Sequence, residues 1–276
     1  MQSDSIISNT ISQDIRLKGH QSIRLTADGF SVLVSDASYR PVHLSQHSFD
    51  SLPSGKLSSE YGRILKESDL LTFEGETVLI VDGLALTTVP KAFFSEEQSK
   101  ALLDKAAQLK DDDQVVHRYI KSRNFFLLFT VSEEIEALKK LFSGEVKVLH
   151  AAECLLSLAD QVQSSDHQRG VVVADVQPHT LDILFLQEDR VRLLNRYALK
   201  NTSDFVYHTL NTMNQLGLDR ESIPIYLSGI IHEEHELFGL LGKYLRKVHT
   251  TPYYLENLNK TQMLRFMILS EGSKCV

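Results

Sequence analysis

The sequence is poor in cysteine and in long apolar runs, and these shortages exclude several classes of protein. It has two cysteines and no tryptophan among 276 residues. Two thiols cannot form a disulfide framework or a cysteine-rich zinc site, so this usage fits a reducing compartment. No stretch of about 18 consecutive apolar residues occurs, so the sequence predicts no transmembrane helix. We therefore expect a cytoplasmic protein that does not insert into membranes.

The two cysteines are predicted to have no chemistry of their own. Cys154 lies in an apolar helical run and is expected to be a small buried hydrophobe. Cys275 lies next to the end of the sequence and is expected to be mobile. Residues 1–13 are polar and lack the basic start and apolar stretch of a signal peptide, so they predict a frayed N-terminal tail.

Basic charge is scarce as well. The chain carries 29 Lys and Arg against 36 Asp and Glu, for a formal net charge of -7. Binding to nucleic acid needs clustered Lys and Arg that neutralise phosphates. The densest basic stretch, formed by Arg118, Lys121 and Arg123, is typical of a solvated surface edge. The sequence therefore predicts no nucleic-acid partner.

What is present is the composition of a globular protein with a sizeable core, 42% hydrophobic and 24% charged. The first half opens with alternating runs at residues 21–27 and 30–36 around Asp28-Gly29, which is a strong hairpin signal. Residues 41–46 predict a third strand. A three-stranded meander is therefore expected to open this half.

Helices and strands then alternate along the rest of the first half. Apolar residues at helical spacing predict helices, and β-branched runs between turn residues predict strands. Helices are predicted at residues 56–67, from residue 95, at 132–142 and at 151–161; strands are predicted at residues 76–81, 84–89, 114–120, 125–131 and 146–149.

The second half repeats this order. The polar residues 164–169 are the predicted boundary, which gives an N-terminal lobe at residues 14–163 and a C-terminal lobe at residues 164–276. Two such lobes facing each other would enclose a cleft. Strands are predicted at residues 170–176, 180–186 and 191–197 as a second meander, followed by a helix through 215, a strand at 223–227, a helix at 233–245, a strand at 247–250 and a helix at 261–270.

One loop of the second half carries a known pattern. Residues 173–182 resemble the second phosphate loop of the actin, Hsp70 and sugar-kinase superfamily, which reads Asp-x-Gly-Gly-Gly-Thr-x-Asp between two strands. Asp175, Thr180 and Asp182 stand at matching positions. Ser228-Gly229, after a buried strand, resembles the adenosine motif of the superfamily, and residues 150–159 resemble its inter-lobe helix.

This resemblance implies an α/β protein with the actin-like ATPase (ribonuclease H-like) fold. The layout is similar to that of the pilus-assembly branch, and the whole chain resembles an uncharacterised bacterial family of unknown function with this fold. For nucleotide contacts, the resemblance implies Asp175, Thr180, Ser228 and Gly229. ATP and Mg²⁺ enter as cofactors only if these residues keep that role.

The phosphate loops depart from the superfamily in ways that oppose nucleotide binding. Glycines in such a loop let backbone N–H groups close around phosphate oxygens. Here Gln177, Pro178 and His179 take the three positions, and proline has no N–H to donate. In the first loop, a tight turn stands where the superfamily has the acid that helps to hold the metal. Asp28 is either that acid displaced into the turn or a turn residue, and turn chemistry explains it better.

Other candidate sites are explained more simply. His232 and His235 are three residues apart, whereas a zinc-binding helix of the protease type needs a spacing of four, and no third ligand follows. They are therefore interpreted as a solvated helix start. Asp182 lies inside a strand pattern and is expected to face the cleft or solvent. No metal site and no catalytic residue are predicted.

Three functional hypotheses remain open. The leading hypothesis is a non-catalytic protein with a degenerate nucleotide site, which acts as a scaffold or regulatory module for an unknown protein partner or as a homodimer. The second is a divergent Mg²⁺-dependent ATPase or small-molecule kinase that uses Asp175 and Thr180 in the inter-lobe cleft. The third is a cleft that clamps a small molecule other than a nucleotide. A cleft filled by the protein's own side chains would count against the second and third hypotheses.

Overall fold

The computed structural model describes residues 2–49, 56–107, 109, 113–162 and 170–275. Two main sheets and one smaller sheet account for the strands of this part of the chain. The strands are β1 (Gln2–Ser8), β2 (His20–Thr26), β3 (Gly29–Ser35), β4 (Pro41–Ser48), β5 (Glu76–Val81), β6 (Leu86–Pro90), β7 (Gln114–Ile120), β8 (Phe125–Val131), β9 (Val146–His150), β10 (Val171–Val176), β11 (Thr180–Gln187), β12 (Arg190–Ala198), β13 (Ile225–Gly229) and β14 (Val248–Thr250).

Helices connect and cover these sheets. Side-chain caps start several of them: Asn201 and Asn259 each form a capping box at the start of a long helix. The helices are α1 (Gln13–Lys18), α2 (Leu57–Glu67), α3 (Ser99–Ala106), α4 (Glu133–Lys139), α5 (Ala151–Val162), α6 (Thr202–Gln215), α7 (Glu236–Leu241) and α8 (Lys260–Gly272). None of the helices in the described ranges has both the length and the apolar character that crossing a bilayer requires.

The two main sheets share one topology. The first sheet has six strands in the order β1-β4-β3-β2-β5-β9, and the second sheet has five in the order β12-β11-β10-β13-β14. In each, an antiparallel meander is followed by two strands parallel to the first strand of that meander. The first sheet differs by the extra edge strand β1, which pairs antiparallel with β4. The repeat is therefore one of topology.

Two helices, α5 and α8, pack between the two main sheets. α5 contacts β9 of the first sheet and β10 and β11 of the second, while α8 contacts β2, β3 and β5 of the first and β13 of the second. Both faces of β10 are buried as a result. Val171 and Val173 join the core shared with the first sheet, and Val172 and Ala174 join the core under α6 and α7. Burial on both faces explains why this strand is apolar throughout.

The smaller sheet, with the order β6-β8-β7, lies between β5 and β9 in sequence. One face of β8 buries Leu127 and Phe129 in the main core. The other face carries Leu128, which packs against Leu103 of α3. Edge strand β7 has no partner strand on its far side among the described residues.

Most of the predicted elements are confirmed, including both meanders. The predicted frayed N-terminal tail is wrong, because β1 pairs with β4 and buries Ile7. The predicted helix at residues 233–245 is too long, since His235 caps α7, which spans only Glu236–Leu241. The predicted boundary at residues 164–169 lies outside the described residues. The division into lobes at residues 14–163 and 164–276 stays a prediction.

Candidate functional site

The candidate site lies where the central strands of the two main sheets meet. Arg24 comes from β2, Asp82 directly follows β5, and Asp175 lies near the end of β10. The side chains of these residues are 5%, 7% and 1% exposed, so all three charges are withdrawn from bulk water. β2 and β5 are parallel neighbours in the first sheet, whereas β10 belongs to the second. The site therefore joins the two sheets.

Arg24 binds two carboxylates at once. Its Nε donates to Asp82 Oδ2 at 3.0 Å, and its Nη2 donates to Asp82 Oδ1 at 3.2 Å. The same Nη2 donates to Asp175 Oδ2 at 2.9 Å. The planar guanidinium matches a carboxylate in this two-pronged geometry. One side chain from the first sheet thus holds an acid from each sheet.

Arg196, on β12, makes the reciprocal link from the second sheet. Its Nε donates to Asp182 Oδ1 at 2.6 Å, and its Nη2 bonds Asp182 Oδ2 as well. Nη2 also donates to Asp82 Oδ1 at 3.0 Å, and Nη1 lies 3.5 Å from the carbonyl oxygen of Gly83. Asp182 pairs with Arg196 across neighbouring strands β11 and β12. Of the two alternatives expected for Asp182, solvent is wrong, because the residue is only 1% exposed; it pairs with Arg196, which also bonds Asp82 beside the first sheet.

Opposite charges favour the ionised forms of Asp82 and Arg24. Burial alone would raise the pKa of Asp82, but the charges of Arg24 and Arg196 outweigh burial and lower it to about 2. Burial likewise opposes the charge on Arg24, yet Asp82 and Asp175 hold the pKa of its guanidinium above the ordinary value. Removing one charged side chain from such a buried network leaves the opposite charges buried without a partner.

His150 is held neutral beside the network. It is fully buried at the end of β9, and its Nε2 lies 2.9 Å from the carbonyl oxygen of Gly83, to which it donates. Its Nδ1 accepts the backbone N–H of Ala152 at 3.1 Å, which caps α5. This pair of bonds fits one neutral tautomer. Burial, reinforced by the charge of Arg196, lowers the pKa of His150 to about 3.

The second-sheet acid, Asp175, is fully engaged by protein groups. The hydroxyl of Ser228 donates to its Oδ1 at 2.9 Å and to the carbonyl of Ala174 at 3.1 Å. The side-chain amide of Gln177 donates to Asp175 Oδ2 at 3.0 Å, beside the bond from Arg24. Both oxygens of this carboxylate therefore already accept protein hydrogen bonds.

The two loops at the site are short and tied down. In the β10–β11 turn, the backbone N–H of Gln177 donates to the carbonyl of Thr180 at 2.9 Å. In the β2–β3 turn, the Thr26 hydroxyl donates to Asp28 Oδ1 at 2.8 Å. A Cβ added at Gly29 would stand 2.0 Å from the carbonyl oxygen of His47, so this turn packs tightly on β4.

A small cavity remains beside these loops. Its volume is about 110 Å³, and Arg24, Asp82 and Gln177 stand on its wall with residues of both turns and of α8. Sites for small molecules usually measure about 300–1,000 Å³. The network of internal ion pairs takes the space between the sheet ends, which counts against the second and third hypotheses.

The structure brings some of the four residues predicted to contact nucleotide close to one another. Asp175 and Ser228 are hydrogen bonded to each other, and Thr180 is half-buried on the cavity wall. Gly229 adopts φ +89°, and a Cβ there would stand 2.0 Å from the carbonyl oxygen of Val176. The backbone conformation at position 229 therefore requires glycine. The role of these residues in nucleotide contact stays a prediction.

The described ranges contain no group of three or more His, Cys, Asp or Glu side chains placed to hold a metal ion. The rings of His232 and His235 lie 5.8 Å apart, edge to face. His235 accepts the backbone N–H of Leu237 at 3.2 Å and thereby starts α7. These histidines shape a helix start, as the sequence suggested.

Sequence reasoning missed Arg24, Arg196, Asp82 and His150. The signal was partial. Arg24 stands between two apolar residues of a predicted strand, and buried arginine is rare unless it is paired. Arg196 lies in a strand with two further arginines, so its burial leaves no such trace in the sequence. Asp175 and Asp182 also interrupt apolar strands and were identified for another reason. One cation and two anions inside apolar strand patterns predict mutual ion pairs, although not which pairs form.

We expect Arg24→Ala to lower the free energy of unfolding by about 3–5 kcal/mol, because Asp82 and Asp175 then stay buried without their shared cation. Arg63→Ala is the matched control: its side chain is 48% exposed and forms ion pairs with Glu60 and Glu67 on α2. That control should cost at most about 1 kcal/mol. Urea unfolding of both variants measures the difference. Equal effects would show that the network does not stabilise the fold.

Gly229→Ala should lower the free energy of unfolding by about 2–4 kcal/mol, because φ is positive and the added Cβ meets a backbone oxygen. Gly239→Ala is its control, since Gly239 lies in α7 with nothing within 4 Å of an added Cβ. That substitution should stabilise by about 0.5–1 kcal/mol through helix propensity. Thermal unfolding measures both variants. A lower Tm for Gly229→Ala together with a higher Tm for Gly239→Ala would support the steric requirement at Gly229. An unchanged Tm for Gly229→Ala would contradict it.

The buried His150 predicts a pH dependence with a definite sign. The ordinary pKa is 6.5 and the folded-state pKa about 3, so between these values the unfolded chain binds a proton that the folded chain does not. Stability is therefore fully present above the unfolded pKa and falls by about 1.4 kcal/mol per pH unit below it.

His150→Asn keeps a helix-capping side chain and removes the titration, so its stability should fall less steeply between about pH 6.5 and about pH 5. Burial also lowers the pKa of His43 and His47, and both variants share that contribution. Urea unfolding across this pH range measures the two slopes. Parallel slopes would contradict a neutral His150 in the folded protein.

Comparison with solved structures places this architecture in a known fold. A protein of unknown function from Bacteroides thetaiotaomicron with an actin-like ATPase fold superposes with a TM-score of 0.76 at 19% identity, over 94% of this chain and 99% of that chain. A chain of the PilM–PilN type IV pilus biogenesis complex gives a TM-score of 0.65 at 11% identity, over 94% and 98%. The ethanolamine utilization protein EutJ from Carboxydothermus hydrogenoformans gives 0.53 at 8% identity, over 93% and 88%.

At these identities the likeness shows the fold alone, and it confirms the predicted actin-like ATPase fold. None of the curated proteins compared with the chain matches it. The profile of one protein family, described as "protein of unknown function (DUF3822)", matches residues 8–248. The resemblance to an uncharacterised family with this fold is thus confirmed, and the chain belongs to the DUF3822 family.

Proposed function

We propose that this chain is a non-catalytic protein of the actin-like fold that works by binding another protein, as a scaffold or a regulatory module. Its nucleotide site is degenerate. One observation carries the proposal: the guanidinium of Arg24 lies between Asp82 and Asp175, hydrogen bonded to both. A fixed protein cation holds the acids that a nucleotide-bound metal ion would need.

The acids have little capacity left for Mg²⁺. Mg²⁺ bound with a nucleotide takes oxygens of one or two carboxylates together with phosphate oxygens, in octahedral geometry. Here Asp82 and Asp175 each accept protein hydrogen bonds on both oxygens. To admit the ion, Arg24 would have to leave a buried site, at a cost of several kcal/mol. The residues present therefore do not fit a Mg²⁺–nucleotide complex.

The phosphate cradle is also incomplete. Backbone N–H groups of a loop bind phosphate when they point into open space. The N–H of Gln177 is used within its own turn, Pro178 has none, and the Gln177 side chain lies on Asp175. The cavity of about 110 Å³ beside this turn is small for a nucleotide.

A protein-binding role has support from the fold. One structural relative is a chain of the PilM–PilN pilus biogenesis complex, so this fold also occurs in a two-protein assembly. A second copy of this chain is one candidate partner, and an unlike protein is another.

The alternative is a divergent Mg²⁺-dependent ATPase or small-molecule kinase that uses Asp175 and Thr180. Thr180 stands on the cavity wall at the start of β11, and the buried Asp175 lies near the end of the neighbouring strand β10. This function requires that Arg24 release Asp175 when nucleotide binds.

Isothermal titration with ATP and Mg²⁺ separates the two functions. We expect no heat of binding and no thermal stabilisation at millimolar ATP, for the unmodified protein and for Asp175→Asn alike. Sedimentation velocity of the same samples, with and without nucleotide, reports whether the chain self-associates independently of ATP. Micromolar Mg²⁺-dependent binding that Asp175→Asn abolishes would overturn the proposal and favour the ATPase.

A further inference from the structure

The only two cysteines of the sequence lie next to each other in the fold, although 120 residues separate them in the chain. Cys154 lies on α5 and is fully buried. Cys275 follows α8 and packs against the core cluster that contains Cys154. The thiol of Cys275 points at α5, with its Sγ 4.0 Å from the carbonyl oxygen of Glu153, the residue before Cys154. The expectation of a mobile Cys275 is therefore wrong, because it packs against the core.

The two thiols differ in access. Cys275 is half-buried and stands on the wall of an open groove of about 330 Å³, which lies between the segment from Arg118 to Ser122, helix α5 and the residues that follow α8. Cys154 has no exposed surface of its own. A hydrogen bond to Cys275, together with burial, raises the pKa of the Cys154 thiol well above its ordinary value. A reagent in the groove meets Cys275 first, and Cys154 is reached through it.

We propose that Cys275 is an oxidation site, at which a hydroperoxide converts the thiol to a sulfenic acid that Cys154 resolves to an intramolecular disulfide. Disulfides in reducing compartments are usually transient and redox-sensing, which fits one accessible thiol beside one protected thiol.

The chemistry balances with the hydroperoxide as the only oxidant. The sulfur of Cys275 attacks the peroxide oxygen, so the O–O bond breaks, sulfur is oxidised to Cys–SOH, and an alcohol or water leaves. The Cys154 sulfur then attacks the Cys275 sulfur, the S–S bond forms, the S–O bond breaks, and hydroxide takes the Cys154 proton to leave as water. A reduced thiol pair of low molecular weight reverses the bond by exchange.

Cys275 lies beyond α8, and its N–H donates to the carbonyl of Gly272 at 3.2 Å. α5 and α8 pack against each other, which brings the residues after α8 to the helix that carries Cys154. A disulfide requires the two Cα atoms to lie about 4.4–6.8 Å apart, so the residues after α8 would adjust to that geometry. The bond would fasten together the two helices that pack between the main sheets. It would close a loop of more than 100 residues, and long loops gain the most stability from a cross-link.

The test treats the full chain, reduced and freed of reductant, with hydrogen peroxide. We expect both thiols to disappear together, the monomer to lose the mass of two hydrogen atoms, and a linked peptide pair containing both cysteines to appear. Tm should rise by roughly 5–15 °C and return when dithiothreitol is added. Cys275→Ser should leave the Cys154 thiol reduced and Tm unchanged under the same treatment.

Cys154→Ala completes the set, because it should leave a Cys275 sulfenic acid that dimedone labels. Cys154 lies in the core, so this variant is informative only if it folds; Cys275→Ser changes a half-buried residue outside any helix and keeps the test decisive. Loss of the Cys154 thiol in Cys275→Ser at the unmodified rate would overturn the proposal. So would oxidation of the unmodified protein to sulfinic acid or to a disulfide-linked dimer without the internal bond.

Discussion

A guanidinium shared between two sheets is the interaction on which this structure depends. Arg24 of the first sheet holds Asp175 of the second, and Arg196 of the second sheet holds Asp82 beside the first. Each ion pair has lost most of its water, and desolvation of buried charges is repaid only by near-ideal geometry. Because the geometry requires both sheets at once, the network fixes how their strand ends meet. It specifies an arrangement more than it adds net stability.

The fold and the network fit together through topology. Parallel central strands bring their ends to the same edge of a sheet, and both main sheets use the same strand order. Residues at those ends therefore converge between the sheets, which is where ligands of open α/β sheets usually bind. In this chain two arginines and three aspartates converge there, and they satisfy one another. The ends of the central strands are therefore occupied by an internal contact between the two main sheets.

The same region also explains the neutral histidine. His150 ends β9 and starts α5, the helix that links the two main sheets. Its two ring nitrogens bond Gly83 and Ala152, so the charged network on one side and the helix start on the other are connected through one imidazole. A protonated ring would lose the bond that caps α5 and would face Arg196. The charge of the Arg196 guanidinium and the burial of the ring both lower the pKa of His150.

The spacing of apolar residues predicted most of the helices and strands, because burying one face of an element makes its apolar residues recur at regular intervals in the sequence. The hairpin at Asp28-Gly29 and the apolar run of β10 are signals of this kind. β1 escaped prediction since Gln2–Ser8 is mostly polar, and its strand exists only because the edge of β4 offers hydrogen-bonding partners. The start of the helix predicted at residues 233–245 was set instead by the N-cap at His235, so that α7 begins at Glu236.

The sequence alone determined the two repeated α/β halves, the actin-like resemblance through Asp175 and Thr180, and the loss of glycine at Gln177, Pro178 and His179. These follow from short-range periodicity and from residue types that restrict the backbone. Tertiary structure alone decided that Arg24 and Arg196 hold the aspartates and that Cys154 meets Cys275. Such contacts join residues more than 100 positions apart or across strands, and side-chain identity does not specify a partner until packing has fixed the distance.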